Sequence, residues 1–116
     1  MEITHRLEGS ICIVSLEGSL ALGGTSKTKS YVMQLLETNK FKGVILNMDR
    51  VNLIDSSGMS LLIAIYKRLT ENQCQFLMCH VSSKIEKIFK VTGLDGVLKF
   101  SPTEADSLRT MTGAAS

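Results

Sequence analysis

The sequence predicts an α/β fold: a mixed, mostly parallel sheet of four to five strands, about four helices and an N-terminal β-hairpin, in a single domain over residues 1–116. Three observations predict it. Two alternating apolar runs at the start flank a glycine turn, which reads as a hairpin. Runs of strand length then alternate with runs of helical period. Strands separated by helices pair in parallel, because a parallel connection needs a crossover.

The elements follow in order. Ile3 to Leu7 and Ile11 to Leu16 are the hairpin strands around Glu8-Gly9-Ser10, and Gly18 ends the second. Leu22-Gly23-Gly24-Thr25 is a flexible loop. Thr25 or Ser26 caps a helix over Lys27 to Thr38, whose inward stripe is Tyr31, Val32, Leu35 and Leu36. Lys42 to Met48, almost wholly apolar, is a central strand. A helix to about Thr70 carries Leu61, Leu62, Ile65 and Leu69 inward; Glu71-Asn72 then turns the chain into a strand over Gln75 to Cys79. Val81 to Val91 is amphipathic, with Val81, Ile85, Ile88 and Phe89 inward and Gly93 at its C-terminal end. Val97 to Phe100 is a short edge strand. Pro102 and Thr103 begin a last helix, Glu104 to Thr110, and Gly113 to Ser116 fray.

The chain is organised around Val51 to Leu62. A short connection leads from the central strand to Asp55 and Ser56, both strong N-cap types, at the start of the helix. Several backbone N–H groups and the positive end of the helix dipole meet there. A phosphate on Ser56 would find donors aimed at it. Two readings of Asp55-Ser56 stand side by side: a helix cap alone, or a cap that doubles as a switch. Gly58 permits close helix–sheet approach, and Met59 is either core filler or an apolar contact for a partner.

Composition narrows the function. Apolar residues make 44% and charged residues 21%, a globular balance. Net charge is +2 with scattered lysines and arginines, not the dense basic stripe that nucleic acid requires. The N-terminus has acids and no apolar run, so it reads as no signal peptide, and Leu61 to Tyr66 is too short to span a bilayer. The expectation is a cytoplasmic protein with no nucleic-acid or membrane partner.

Other motifs carry less. Cys12 alternates with Val14 and Leu16 as part of a core face, and Cys74 and Cys79 point to opposite faces of a strand; all three read as reduced, buried thiols. His5 and His80 lack companions at metal-ligand spacing, so no metal or cofactor is expected. Gly18 to Gly23 has the spacing of a phosphate loop, but Gly24 stands where lysine is needed and Lys27 comes too late. Lys84, Lys87 and Lys90 recur along one helix, either as a solvated face or as steering toward an acidic partner.

The chain as a whole resembles a STAS domain of the stand-alone bacterial anti-sigma-factor antagonist kind. The residues that carry the resemblance are Ile54-Asp55-Ser56-Ser57-Gly58-Met59 after Asn47-Met48-Asp49, with Gly18-Ser19-Leu20 upstream and Val91-Thr92-Gly93-Leu94 downstream. The resemblance implies a partner switch. The unphosphorylated antagonist binds an anti-sigma factor, itself a GHKL-type serine kinase, and releases that kinase's other target. Phosphorylation of the serine after the aspartate, here Ser56 with Ser57 as second choice, breaks the complex; a metal-dependent serine phosphatase resets it. The implied docking residues are Asp55, Ser56, Ser57, Gly58 and Met59, with Leu22, Gly23, Gly24 and Thr25 of the neighbouring loop. Two positions depart from the family pattern: Ala21 replaces a loop aspartate, and Ser60 a glycine. No catalytic role is expected, since a nucleophilic Ser56 needs a base and an oxyanion site, and no Gly-x-Ser-x-Gly elbow is present. A switch with a non-sigma output, such as secretion or biofilm formation, and a structural subunit of a signalling assembly are the alternatives.

Overall fold

In the computed structural model, which describes residues 1–112, five strands form one sheet in the order β1-β2-β3-β4-β5. The strands are β1 (Glu2–Glu8), β2 (Ile11–Leu20), β3 (Gly43–Ile54), β4 (Gln75–Cys79) and β5 (Phe100–Ser101). β1 and β2 pair antiparallel across Gly9-Ser10, with Gly9 at φ 61°; all later neighbours pair parallel. The helices are α1 (Thr25–Thr38), α2 (Ser56–Glu71), α3 (Ser83–Thr92) and α4 (Glu104–Thr112), with a 3₁₀ turn at Leu94–Gly96.

Sheet order explains the layers. Each parallel step from β2 to β5 goes the same way, so right-handed crossovers put α1, α2 and α3 on one face. There the main core forms: Val14, Leu16, Leu46 and Met48 of the sheet against Val32, Leu62, Ile65 and Phe89 of the helices. α4 returns to the other face and closes a small cluster of Ile11, Ile13, Ile45 and Cys79 with Leu108 and Met111. Cys12 and Cys74 lie in the main core and Cys79 in the small one, all as free thiols. Burial raises Cys12 and pushes Cys74 to about 11 and Cys79 to about 12, so all three stay protonated at neutral pH.

Several expectations need correction. β3 does not stop at Met48 but runs to Ile54, and β2 passes through Gly18 to Leu20. Two register shifts hide this in the sequence: β2 advances from Ser15 to Glu17 while β3 goes from Asn47 to Arg50, and Gly18–Ser19 faces Val51–Leu53. Each gives β3 one extra residue, a β-bulge. Its core positions therefore fall at Val44, Leu46 and Met48, then Val51, then Ile54, which breaks the period of two. Gly18 sits within β2 at φ 122°, a conformation glycine adopts without strain.

The α1 cap also differs. Gly24, not Thr25 or Ser26, is the N-cap and supplies no side chain; buried Thr28 donates instead through Oγ1 to Gly24 O (3.1 Å). Val97 to Phe100 is mostly irregular, and the edge strand is Phe100–Ser101. α3 starts at Ser83 behind a Ser82 cap, where Val81 was expected, and α4 runs two residues past Thr110. Gly93 ends α3 in the left-handed region as expected. Gly113 to Ser116 lie outside the described residues.

The packing assigns different weights to neighbouring apolar residues on α3. Phe89 is fully buried and Val91 is 82% exposed. Phe89→Ala is expected to lower unfolding stability by about 3–5 kcal/mol, and Val91→Ala to change it by no more than about 0.5 kcal/mol. Urea titrations followed by circular dichroism check both values.

Candidate functional site

Asp55 is where three segments meet. It is the N-cap of α2, in extended conformation, and its Oδ1 accepts from Ser57 N (2.9 Å), Gly58 N (3.0 Å) and Ser57 Oγ (2.6 Å). Its Oδ2 accepts from Leu22 N (3.1 Å), so the same carboxylate holds the β2–α1 loop. The backbone adds Asp55 N to Leu20 O (3.4 Å) and Met59 N to Asp55 O (3.0 Å). The bond from the Ser57 hydroxyl, with those from the amides of Leu22, Gly58 and Ser57, lowers the carboxyl from 3.8 to about 2.

Gly58 is needed for this junction. A Cβ there would overlap Leu20 O and stand 2.9 Å from Ile54 Cγ1. Only a bare backbone lets α2 start this close to the ends of β2 and β3. Met59 is half-buried and packs against the main core, so its inner part is anchored.

Ser56 differs from its neighbour. It is exposed, and its hydroxyl takes no part in the Asp55 network, whereas half-buried Ser57 donates its hydroxyl to Asp55. The donors expected to await an anion on Ser56 are engaged already: Ser57 N and Gly58 N by Asp55, and Met59 N by the first helical bond. An anion on Ser56 would lie next to the carboxylate that already holds these amides.

Around Ser56 the surface is part apolar. Leu22 is 86% exposed at the loop tip, beside Gly23 at φ 100°. Thus the bond from Leu22 N brings the Leu22–Thr25 loop to the Asp55–Met59 stretch, distant in sequence, although Gly58, expected among the docking residues, is buried against Leu20 O. Ala21 is half-buried, and its carbonyl accepts from Gly24 N (2.9 Å), closing the loop turn. Sequence reasoning missed Leu53, which is 45% exposed, and the bond from Ser19 Oγ to Asn52 Oδ1 (3.1 Å) on the same rim. The bulge turns Leu53 outward, and the pattern Val51-x-x-Ile54 was its sequence signal.

The remaining candidates lie elsewhere. Lys27 Nζ donates to Met1 O (3.2 Å). His5 Nδ1 pairs with Tyr31 OH (2.6 Å), and Lys84, Lys87 and Lys90 are exposed on α3, with Lys90 beside Glu86 (3.6 Å). Among the described residues, no three His, Cys, Asp or Glu side chains form a group that could hold a metal, and no helix is long and apolar enough to cross a membrane.

Comparison with known proteins adds relatives to this geometry. The STAS domain pattern matches residues 2–107. An anti-sigma-B factor antagonist of Listeria monocytogenes is 26% identical over 82 residues, covering 68% of this chain and 72% of that protein. The fold is shared with a putative anti-sigma factor antagonist of Thermotoga maritima (TM-score 0.86, 18% identity, 95% and 94% of the two chains). It is shared as well with the anti-sigma factor antagonist SpoIIAA in its unphosphorylated form (TM-score 0.82, 18% identity, 97% of both chains).

The site makes two predictions. Because the folded Asp55 carboxyl titrates below its ordinary 3.8, the stabilisation from its ionised form is complete above that value and is lost as pH falls through about 2. The amide resonances of Leu22, Ser57 and Gly58 are expected to move together with a midpoint near 2 in an NMR titration, and a midpoint near 4 would contradict the geometry. Gly58→Ala is expected to lower stability by about 1–3 kcal/mol through overpacking, measured by thermal unfolding.

Proposed function

The chain belongs to the STAS domain family, and from that premise we propose that it is a phosphorylation-controlled partner switch. Its unphosphorylated form binds an anti-sigma factor that is also a GHKL-type serine kinase, and thereby releases the target that the kinase holds. Phosphorylation of Ser56 ends the complex, and a metal-dependent phosphatase restores it. The protein acts in the cytoplasm, without a cofactor or a chemical step of its own. Relatives described as anti-sigma factor antagonists support the reading.

One observation carries it: Ser56 is exposed at the start of α2, outside a hydrogen-bond network that fixes everything around it. A kinase can reach such a hydroxyl without opening the fold. Phosphorylation brings about −1.5 to −2 charges. Since the nearby amides serve Asp55, the fold has no ready pocket for that charge, which remains at the surface. A partner seated over Leu22, Leu53 and Ser56 would have to bury the phosphate unpaired, next to the Asp55 carboxylate. A loss of about 3 kcal/mol already weakens binding more than a hundredfold. Ser57, with its hydroxyl on Asp55, is the less available acceptor.

The test uses the kinase captured from the host by a Ser56→Ala bait. Ser56→Ala is expected to bind it within a few fold of the unphosphorylated wild type, and Ser56→Asp at least about a hundredfold more weakly. Phosphopeptide mapping after incubation with ATP should find Ser56 modified. Undiminished binding by Ser56→Asp, or modification elsewhere, would sink the proposal.

A further inference from the structure

We propose that the free edge of β1 is a self-association surface, on which a second copy of this chain pairs β1 to β1 in antiparallel sense about a twofold axis at Thr4.

The two edges of the sheet are unlike. β5 is two residues long and runs directly into Pro102, a short edge that gives little to pair with. β1 is seven residues long, pairs with β2 in unbroken register and contains no proline. All of its residues except Ile3 are exposed, including Leu7 at 56%. α4 packs mainly on β3, β4 and β5 and touches the face of β1 through the Glu104–Arg6 pair, which leaves the outer backbone edge of β1 without a neighbouring strand. Half of the backbone N–H and C=O groups of β1 thus point outward with no strand to receive them.

Side chains select the occupant and the register. Glu2, Thr4 and Arg6 share the α4 face, as the bond from Arg6 Nη2 to Glu104 Oε1 (2.6 Å) shows; His5 lies on the opposite face against Tyr31. With the axis at Thr4, Glu2 stands opposite the partner's Arg6, and Arg6 opposite the partner's Glu2. Ile3 faces the partner's His5, Thr4 faces its own copy, and exposed Leu7 meets the partner's Met1. Opposite charges and threonine pairs at such positions favour the ladder. Slipped registers do not: an axis at His5 sets Glu2 against the partner's Glu8, and one at Arg6 sets the two arginines face to face. Glu104 and Glu8 (3.7 Å from Nε) already hold the Arg6 side chain, while its five-donor fork keeps N–H groups to spare. Ser56 follows β3, two strands or roughly 10 Å from this edge, so a dimer leaves it open.

Sedimentation equilibrium on the full chain, from micromolar to millimolar, tests this independently of any kinase. The wild type is expected to approach twice the 12.7 kDa chain mass. Glu2→Lys places lysine against the partner's Arg6, and Arg6→Glu places glutamate against the partner's Glu2; each alone should dissociate at least about tenfold more readily. Mixed together, the two variants restore both opposite-charge pairs and should form a heterodimer. Circular dichroism melts establish that each is folded. Thr4→Cys should yield a disulfide-linked dimer under mild oxidation, against a wild type whose cysteines are all buried. A monomeric wild type over the whole range, single variants that associate as well as wild type, an unrescued mixture or a Thr4→Cys chain that does not cross-link would each overturn the proposal.

Discussion

One carboxylate holds the working end of this molecule together. Asp55 caps α2, fixes the side chain of Ser57 and holds the β2–α1 loop through Leu22 N, all at once. A capping bond satisfies backbone N–H groups that the start of a helix leaves unpaired. Its larger consequence is geometric, because segments more than thirty residues apart are set against each other by the bond from Leu22 N and, beside it, the bond from Asp55 N to Leu20 O. Gly58 makes this possible by letting the first turn of α2 rest almost on Leu20 O. Replace either residue and the surface around Ser56 loses its definition, even though the sheet beneath remains.

The same carboxylate decides what a charge on Ser56 can do. The positive end of a helix normally welcomes an anion. In this chain the anion is built in, and it takes the amides of Ser57 and Gly58 for itself. A second negative group would have to compete with Asp55 for those amides. That suits a module whose message is read by another surface: the internal structure need not change for a partner to lose its seat. In the proposed switch, the exposed Leu22 and Leu53 would supply area for contact, and the charge on Ser56 would decide whether that area can be covered.

Beneath the site lies a compromise within β3. To keep Val44, Leu46, Met48, Val51 and Ile54 in the core, the strand takes up two extra residues relative to β2. The bulges carry β3 up to Asp55 with the correct face inward, and they turn Leu53 outward. Bulges at the end of a strand next to a functional surface re-aim side chains in this way. On the far side of the sheet, the small cluster under α4 draws on β2, β3 and β4 and leaves the outer edge of β1 free, the edge on which the proposed self-association rests.

Much of this was readable from residues alone. The helical periods of Leu61, Leu62, Ile65 and Leu69, the glycine turn of the hairpin and the strand–helix alternation determine the fold class, because each depends on neighbours within one or two turns of chain. A cap at Asp55 or Ser56 follows from the same local chemistry, and the folded chain assigns it to Asp55 and leaves Ser56 exposed. The length of β3 and the outward turn of Leu53 do not, since a bulge is fixed by the register between two strands and leaves only a broken period in either one. Nor does the occupancy of the helix donors. Asp55 binding Leu22 N, and thereby joining loop to helix, is a contact across thirty-three positions, and only the folded sheet brings its two ends together.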